Sequence, residues 1–393
     1  MDDYLTFGRH HLAATHQGAF AQHLEPEPRP ILDFLRMTNL KQNRLGLALI
    51  QEWARGMLGL NVEQIDKRTT EFTGFAIPHG DLGGDPRFFV NGERVTDIEL
   101  HIPNHIDTAI DPEGGRHFGV RFRVKGFDVL NIKKRIEIAM ASGPSWAQPD
   151  PYGSLWFGPS SDPLPAAANL TRIGGRDGAP EQYLKFGATF IYKLEYLLKQ
   201  MGYEGFSSFD RILDWGCGCG RMLRFFDKSD RHRLTGIDID GQNIAWNREN
   251  MGDIQFEQIS TDPPTPFEDG RFNLIYANSV MTHLTVDDQF AWLQELARIA
   301  APGAVIALTI HGWHSWAILG WQEMNTLLHF KENGIRVAAE LNPDIADVPG
   351  NRYTDTAHTH EYIYREWGKY FEVHGIVEGF SGTQAMVILK TRT

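Results

Sequence analysis

Cysteine is nearly absent: Cys217 and Cys219 are the only two in 393 residues. Two thiols one residue apart are too close for an ordinary disulfide and too few for a structural zinc site, so both read as reduced, small packing residues. Runs of Lys and Arg longer than three are missing as well, and 38 basic against 50 acidic residues give a formal charge of −12. That balance argues against nucleic acid or an anionic membrane as partner, since both attract positive charge, and favours a small or neutral ligand. No apolar run approaches the roughly 18 residues of a spanning helix. The opening Met1-Asp2-Asp3-Tyr4 lacks the basic-then-apolar pattern of a signal peptide. Membrane insertion is therefore not expected, and the cytoplasm is the expected compartment.

A chain of this length exceeds the size at which single cores stop growing, so two domains are the prior. Residues 1–30 end in Glu25-Pro26-Glu27-Pro28-Arg29-Pro30, whose alternate prolines favour an extended arm. Over residues 31–68 the apolar Leu32, Leu35, Leu45, Leu49, Trp53, Met57 and Leu60 recur at helical spacings, which predicts a helical segment. Residues 69–143 change character. Phe88-Phe89-Val90-Asn91-Gly92-Glu93-Arg94-Val95 places two β-prone runs around Asn-Gly, a strong hairpin signal. The stretches starting at Ile98, Phe118 and Arg135 alternate as half-buried antiparallel strands do. A small, mainly β, sandwich-like domain is expected there. Residues 144–180, rich in Gly, Pro and Ser with Trp146, Tyr152, Trp156 and Phe157 interspersed, read as an ordered linker into a C-terminal domain at 181–393.

That C-terminal domain is organised around Arg211-Ile212-Leu213-Asp214-Trp215-Gly216-Cys217-Gly218-Cys219-Gly220-Arg221. The pattern reads as strand, turn and helix N-terminus, with three glycines in five positions pressed against a ligand that the free N–H groups of the helix start would face. A dinucleotide turn spaces its glycines G-x-G-x-x-G, whereas this one reads D-x-G-x-G-x-G. The acid two residues before the first glycine suits a ligand carrying an ammonium group. Strand candidates at Leu234, Phe272 and Ala304 then alternate with helical stretches near Asn243 and Asp287, which implies a parallel sheet covered on both faces.

From about Ile173 onward the sequence resembles class I S-adenosylmethionine (SAM)-dependent methyltransferases. The resemblance is to a bacterial subgroup, met among glycan and secondary-metabolite genes, that carries L-D-W-G-C-G-C-G-R, S-V-x-T-H-L and T-x-H-G stretches. Here these are Leu213 to Arg221, Ser279-Val280-Met281-Thr282-His283-Leu284 and Thr309-Ile310-His311-Gly312. The resemblance implies a Rossmann-like, doubly wound sheet with a final antiparallel pair at Glu372-Val373-His374 and residues 385–390. Asn273 departs from the family, standing where an acid commonly begins the fourth strand.

On this resemblance Asp214, Trp215, Gly216, Gly218 and Gly220 hold the methionine half of SAM, with the Asp214 carboxylate near its ammonium. Asp238, about 20 residues beyond the loop, accepts from the ribose hydroxyls, and Asp240 is the neighbouring alternative. The adenine is expected between Ile239 and the loop of Ser260, Thr261 and Asp262, and Asn278 passes next to the sulfonium. His283 is either a structural histidine or part of the substrate pocket. His311, directly after the fifth strand, is the preferred catalytic base, its alternative being a loop cap. Trp313, Trp316 and Trp321 could wall the acceptor site or simply pack. His358, His360 and Glu361 invite a metal reading, but no third ligand stands at a diagnostic spacing, and no metal is expected.

The reading is therefore a SAM-dependent methyltransferase that releases S-adenosylhomocysteine (SAH) and acts on a small-molecule or sugar acceptor, with a hydroxyl as the methylated group. Nitrogen and carboxylate acceptors stay open. The rivals are a methyltransferase-like binding protein that has lost turnover and a nicotinamide-dependent reductase, which the glycine spacing and Asp214 disfavour. The N-terminal region is a candidate homodimer contact.

Overall fold

The structure, a computed structural model, describes residues 57–77, 87–101, 118–141, 154–174, 179–312, 315, 330, 332–339, 353–382 and 384–392. The expected arm at 1–30, the helical pattern over 31–56 and Trp313, Trp316 and Trp321 lie outside the described residues. The expected helix to residue 68 is corrected at its end, because Met57–Asp66 is a strand, β1. Leu60 and Val62 are buried while Asn61 and Glu63 between and after them are exposed, a period of two rather than 3.6. The helical spacing of Met57 and Leu60 gives way to pairing with β2 (Thr69–Ile77), in which Val62 sits opposite Phe72.

Six more strands complete this module: β3 (Arg87–Val90), β4 (Glu93–Arg94), β5 (Ile98–His101), β6 (Phe118–Lys125), β7 (Ile136–Ala141) and β8 (Leu155–Phe157). They form two four-stranded sheets, β1-β2-β6-β5 and β4-β3-β7-β8. The sheets face each other through aromatic contacts, Phe72 with Phe157 at 5.9 Å and Phe88 with Phe122 at 5.6 Å between ring centroids. Asn91 and Gly92 both take positive φ, 51° and 83°, the twist a two-residue hairpin needs. The β-module thus extends past the expected boundary at 143, because β8 pairs with β7 and its Phe157 plugs the core.

After α1 (Ala167–Gly174), the long α2 (Pro180–Gln200) joins the two halves. Ala188, Ile191, Leu194 and Leu198 on α2 are buried in the core of the large sheet. Each such side chain fully buried contributes about 1.5–3 kcal/mol for the larger aliphatics. The other side of α2 meets the β-module: the Lys185 ammonium donates to the Leu60 carbonyl, and the Trp156 N–H donates to Thr189 Oγ1 at 2.9 Å. The Arg135 guanidinium, from the module, lies 4.1 Å over the rings of both Trp156 and Tyr192.

The large sheet comprises β9 (Ile212–Trp215), β10 (Leu234–Asp238), β11 (Gln255–Gln258), β12 (Phe272–Ala277), β13 (Ala300–Ile310), β16 (Glu372–Ser381) and β17 (Gln384–Lys390). Its order is β11-β10-β9-β12-β13-β17-β16. Strands β9 to β13 are parallel, β17 is antiparallel to β13, and β16 is antiparallel to β17, so the expected final antiparallel pair is present. Alternate residues serve opposite faces: Ile212, Val305 and Ala307 enter one core, and Leu213, Ile306 and Leu308 the other. Helices α3 (Gly241–Asn250) and α4 (Val286–Ile299) follow β10 and the β12 loop. A two-stranded ribbon, β14 (Ile335–Ala339) with β15 (Thr354–His358), precedes α5 (His360–Glu366). Asn273 substitutes for the family's acid by accepting the Arg211 N–H at 3.1 Å, which ties the starts of β9 and β12. No helix among the described residues is long and apolar enough to cross a membrane.

Candidate active site

A cavity of about 520 Å³ opens at the C-terminal ends of β9, β10 and β12, where the strand order reverses between β9 and β12. Open parallel sheets bind ligands at this switch point. Its wall includes Trp215, Gly216, Gly218, Asp238, Ile239, Thr261, Asn278 and His283, which the sequence singled out. Asp214, Gly220, Asp262 and His311 are not on that wall.

The turn after β9 departs from expectation in one respect. No α-helix follows it; Leu223–Phe225 and Lys228–Arg233 are 3-10 turns. Gly216, Gly218 and Gly220 take φ of 76°, 52° and 72°, and the chain beyond is held by side chains rather than by a helical ladder. Arg224 donates to Ser160 Oγ and to the carbonyls of Asp162 and Pro163, while the buried Arg231 pairs with Asp162 at 2.5 Å. The N–H groups of Gly216 and Cys217 are occupied by the Ile237 carbonyl at 2.8 and 3.0 Å, and Gly218 N–H donates to Asp238 Oδ2 at 2.7 Å. The turn is therefore fixed to β10 instead of presenting a row of open donors. A Cβ at Gly216 would lie 2.4 Å from Val280 Cγ2, and one at Gly218 would lie 2.7 Å from Ile173 Cγ2. Gly220 instead faces α3, where a Cβ would meet Met251 Sδ at 2.8 Å.

Asp238 does two things. Its carboxylate clamps the turn through Gly218 and also accepts the Asp240 N–H at 2.8 Å, while one edge remains on the cavity wall. Burial pushes it up to about 6 against the pull of those backbone donors. Asp240 is an N-cap: it accepts from Gln242 N–H and Asn243 Nδ2 at 3.0 Å and pairs with Arg172 at 2.5 Å. Asp214 lies behind the wall, only 2 % exposed, rather than on it. Its Oδ2 has no hydrogen-bond partner, and burial pushes the acid up to about 8; the Tyr276 hydroxyl beside it pulls the other way without closing a bond of normal geometry.

Where the adenine is expected, Ile239, Ile259 and Thr261 line the cavity, and Trp292, 4.8 Å from the Trp215 ring, donates to the Thr261 carbonyl at 3.0 Å. Asn278 Oδ1 accepts from Ser381 Oγ at 2.8 Å. The next residue, Ser279, is held at φ 60° by its N–H bond to Thr309 Oγ1 at 2.7 Å, the strained backbone often found at ligand sites.

The two catalytic candidates separate here. His283 lines the cavity and stacks on Tyr353 with ring centroids 3.8 Å apart. Its Nδ1–H donates to the Thr354 carbonyl at 2.9 Å, so Nε2 carries the lone pair, and burial lowers its pKa to about 4. His311 stands further back. Its Nδ1 bonds Ser315 Oγ at 2.9 Å, Nε2 lies 3.6 Å from Asp355, and its carbonyl accepts the His358 N–H at 2.8 Å. Burial first, then neighbouring His283 and Arg336, lowers it to about 4. His311, expected at the acceptor, joins β13 to β15 and is off the cavity wall, whereas His283 lines it.

His358 is fully buried with Nε2 bonded to Gln289 Oε1 at 2.8 Å, and His360 pairs with Glu378 at 2.7 Å, so the two histidines face different neighbours. No group of metal-ligating side chains occurs among the described residues. Residues not anticipated from sequence include Tyr353, Val280, Gln384 and Tyr183, all on the cavity wall. Of these only Val280 falls in a stretch the sequence singled out, Ser279 to Leu284, and there it carries no chemistry of its own. Tyr183 arrives from α2, its hydroxyl donating to the Cys219 carbonyl at 2.8 Å.

Residues 212–303 match the family described as "Methyltransferase domain". Among curated relatives, the ribosomal protein L11 methyltransferase of Burkholderia mallei is 32% identical over 98 residues, 25% of this chain and 31% of that protein. The malonyl-[acyl-carrier protein] O-methyltransferase of Enterobacter lignolyticus is 29% identical over 101 residues, 26% of this chain and 39% of that protein. The chain thus spans about a third of the length of these relatives. SAM, the cofactor of this domain family, fits the residues present. Gly216 and Gly218 line the cavity without side chains of their own, the acid at the β10 edge faces it, and an unpartnered carboxylate oxygen stands behind the wall. With its strand order, glycine turn and family match, the seven-stranded unit of this chain is a class I S-adenosylmethionine-dependent methyltransferase domain.

Proposed function

We propose that this chain methylates a hydroxyl of a small-molecule acceptor, a sugar or a secondary metabolite, using SAM and releasing SAH. One observation carries the reading: the glycine turn and Asp238 share a single cavity with His283, Tyr353 and Ser279. A cofactor end and a polar acceptor end therefore face one space. Bound there, SAM supplies an electrophilic methyl carbon. Trp215, Gly216, Gly218, Asp238, Ile239, Thr261 and Asn278 hold it. Asp214 stands behind the wall, close to the turn.

At the other end His283 is the base. Its Nδ1–H is committed to the Thr354 carbonyl, which leaves the basic nitrogen as Nε2, and its low pKa keeps it neutral at pH 7. Methyl transfer to an alcohol is an in-line displacement, in which positioning supplies much of the rate and a neutral imidazole takes the hydroxyl proton. His311 is a positioning residue that secures β15, the strand whose Thr354 orients His283. A hydroxylated acceptor is favoured by the polar ladder at the strand ends, where Gln384 Nε2 donates to Ser279 Oγ at 2.7 Å and Ser381 Oγ donates to Asn278 at 2.8 Å. We assign the β-module, which contacts α2, to shaping the acceptor entrance or forming a homodimer contact.

The test is calorimetric titration of SAM and SAH into the full chain, followed by labelled-methyl transfer to a panel of sugars and hydroxylated metabolites. Micromolar binding and transfer to a hydroxyl are expected. A folded protein that binds neither ligand sinks the enzyme reading in favour of a recognition protein.

A further inference from the structure

Two arginines line the cavity, and their circumstances differ. Arg172 is committed to Asp240 through a 2.5 Å ion pair. Arg221, the residue that closes the glycine turn, has no carboxylate within ion-pair distance among the described residues, and its Nε is buried without a hydrogen-bond partner. Burial accordingly disfavours its charged form, with Asp214, Cys219 and Tyr183 pulling the other way. A guanidinium stays protonated in proteins, so a cation stands on the wall with an N–H pointing at nothing. Such a group costs about 1–3 kcal/mol or more unless something satisfies it.

The backbone of Arg221 is also held tightly. A Cβ on Gly187 of α2 would lie 2.1 Å from the Arg221 carbonyl oxygen, so only glycine allows the helix this close. Two residues earlier in the turn, the Cys219 carbonyl accepts the Tyr183 hydroxyl of the same helix. The side chain passes near Phe186, whose ring centroid is 6.0 Å from Cζ. The guanidinium thus extends from a clamped backbone in the glycine turn, on the wall of the same cavity as Gly216 and Gly218. The other charged groups on the wall are acids, Asp238, Asp240 and Asp288.

Resting on the SAM reading above, we propose that Arg221 is the specificity-determining contact for the α-carboxylate of the cofactor. It makes the site selective for ligands that keep this group over those that share the adenosine, sulfur and amine but lack it. The arginine-carboxylate match is planar and charge-assisted, and it gives a counter-charge to a guanidinium that has no carboxylate partner among the described residues. Arg221 is then the reason the turn ends in arginine rather than in any residue able to follow Gly220.

The experiment compares SAH with its decarboxylated analogue, which retains the amine, by calorimetry on the full-length wild type, Arg221→Met and Arg221→Lys. Wild type is expected to favour SAH by about tenfold to a hundredfold. Arg221→Met brings the two affinities within about threefold by weakening SAH alone, and Arg221→Lys restores part of the ratio, since it keeps the charge but not the fork. Thermal unfolding without ligand checks folding, and Arg221→Met should melt no lower than wild type because its Nε has no protein partner to lose. A ratio unchanged in Arg221→Met, or an equal loss for both ligands, overturns the assignment while leaving the cofactor reading standing. Failure of the wild type to bind either ligand overturns both.

Discussion

Replacing Asp238 by asparagine sets two effects of one carboxylate against each other, and their magnitudes decide the outcome. Burial raises this acid from 3.8 to about 6, so at pH 7.5 its ionised form lowers native stability by about 3 kcal/mol relative to the neutral form. Asparagine has the shape of that neutral form and removes the penalty. Against this, Asp238 Oδ1 and Oδ2 accept from Asp240 and Gly218, and asparagine has one acceptor oxygen for two backbone donors. One N–H then faces an amide NH2, at a cost of about 1–3 kcal/mol. The difference is small and leans to stability. Ligand-free Asp238→Asn should therefore melt within a few degrees of wild type at pH 7.5, or slightly higher. Its affinity for SAH should fall about tenfold to a hundredfold, because the ribose hydroxyls lose a charged acceptor. Differential scanning fluorimetry and calorimetry on the same samples read both quantities. A drop of ten degrees with SAH affinity retained would show that Asp238 serves only the turn and would refute the ribose assignment.

Three further outcomes are expected. Asp214 is raised by burial from 3.8 to about 8, so between those values the native state holds a proton the unfolded chain has released, and stability falls as pH rises. Over pH 7 to 8 wild type should lose about 1 kcal/mol relative to Asp214→Asn, measured by denaturant melts, and parallel pH profiles would remove the buried acid from the account. With an acceptor in hand, His283→Ala should lower kcat by about a hundredfold to ten-thousandfold while leaving the SAH Kd unchanged, and His311→Ala should cost less. The reverse ranking would return the base to His311. The depressed His283 also predicts a rate independent of its protonation above about pH 5 and falling below it, since its pKa of about 4 is where the lone pair is lost.

The amino-acid sequence by itself determined the class of the C-terminal domain and the glycine turn and acid that line its cavity. Those depend on local properties: glycines that accept positive φ at 216 and 218, an acid closing β10, and apolar strands of period compatible with a sheet buried on both faces. Asn91-Gly92 likewise specified its own turn, because the required φ values belong to those residue types. Tertiary structure decided the rest. Met57–Asp66 became a strand because β2 offered it a ladder and a core, against a helical spacing. The turn after β9 ran into 3-10 turns because Arg224 and Arg231 are bonded to a segment 60 to 70 positions earlier, which no local pattern announces. Which of His283 and His311 lines the cavity was likewise invisible in the chain: both follow strands of the same sheet, and the packing of β15, with Thr354 and Tyr353, brings one ring to the wall and leaves the other off it. Contacts between distant residues settle such matters because burial and hydrogen-bond satisfaction are properties of the assembled core, not of sequence neighbours.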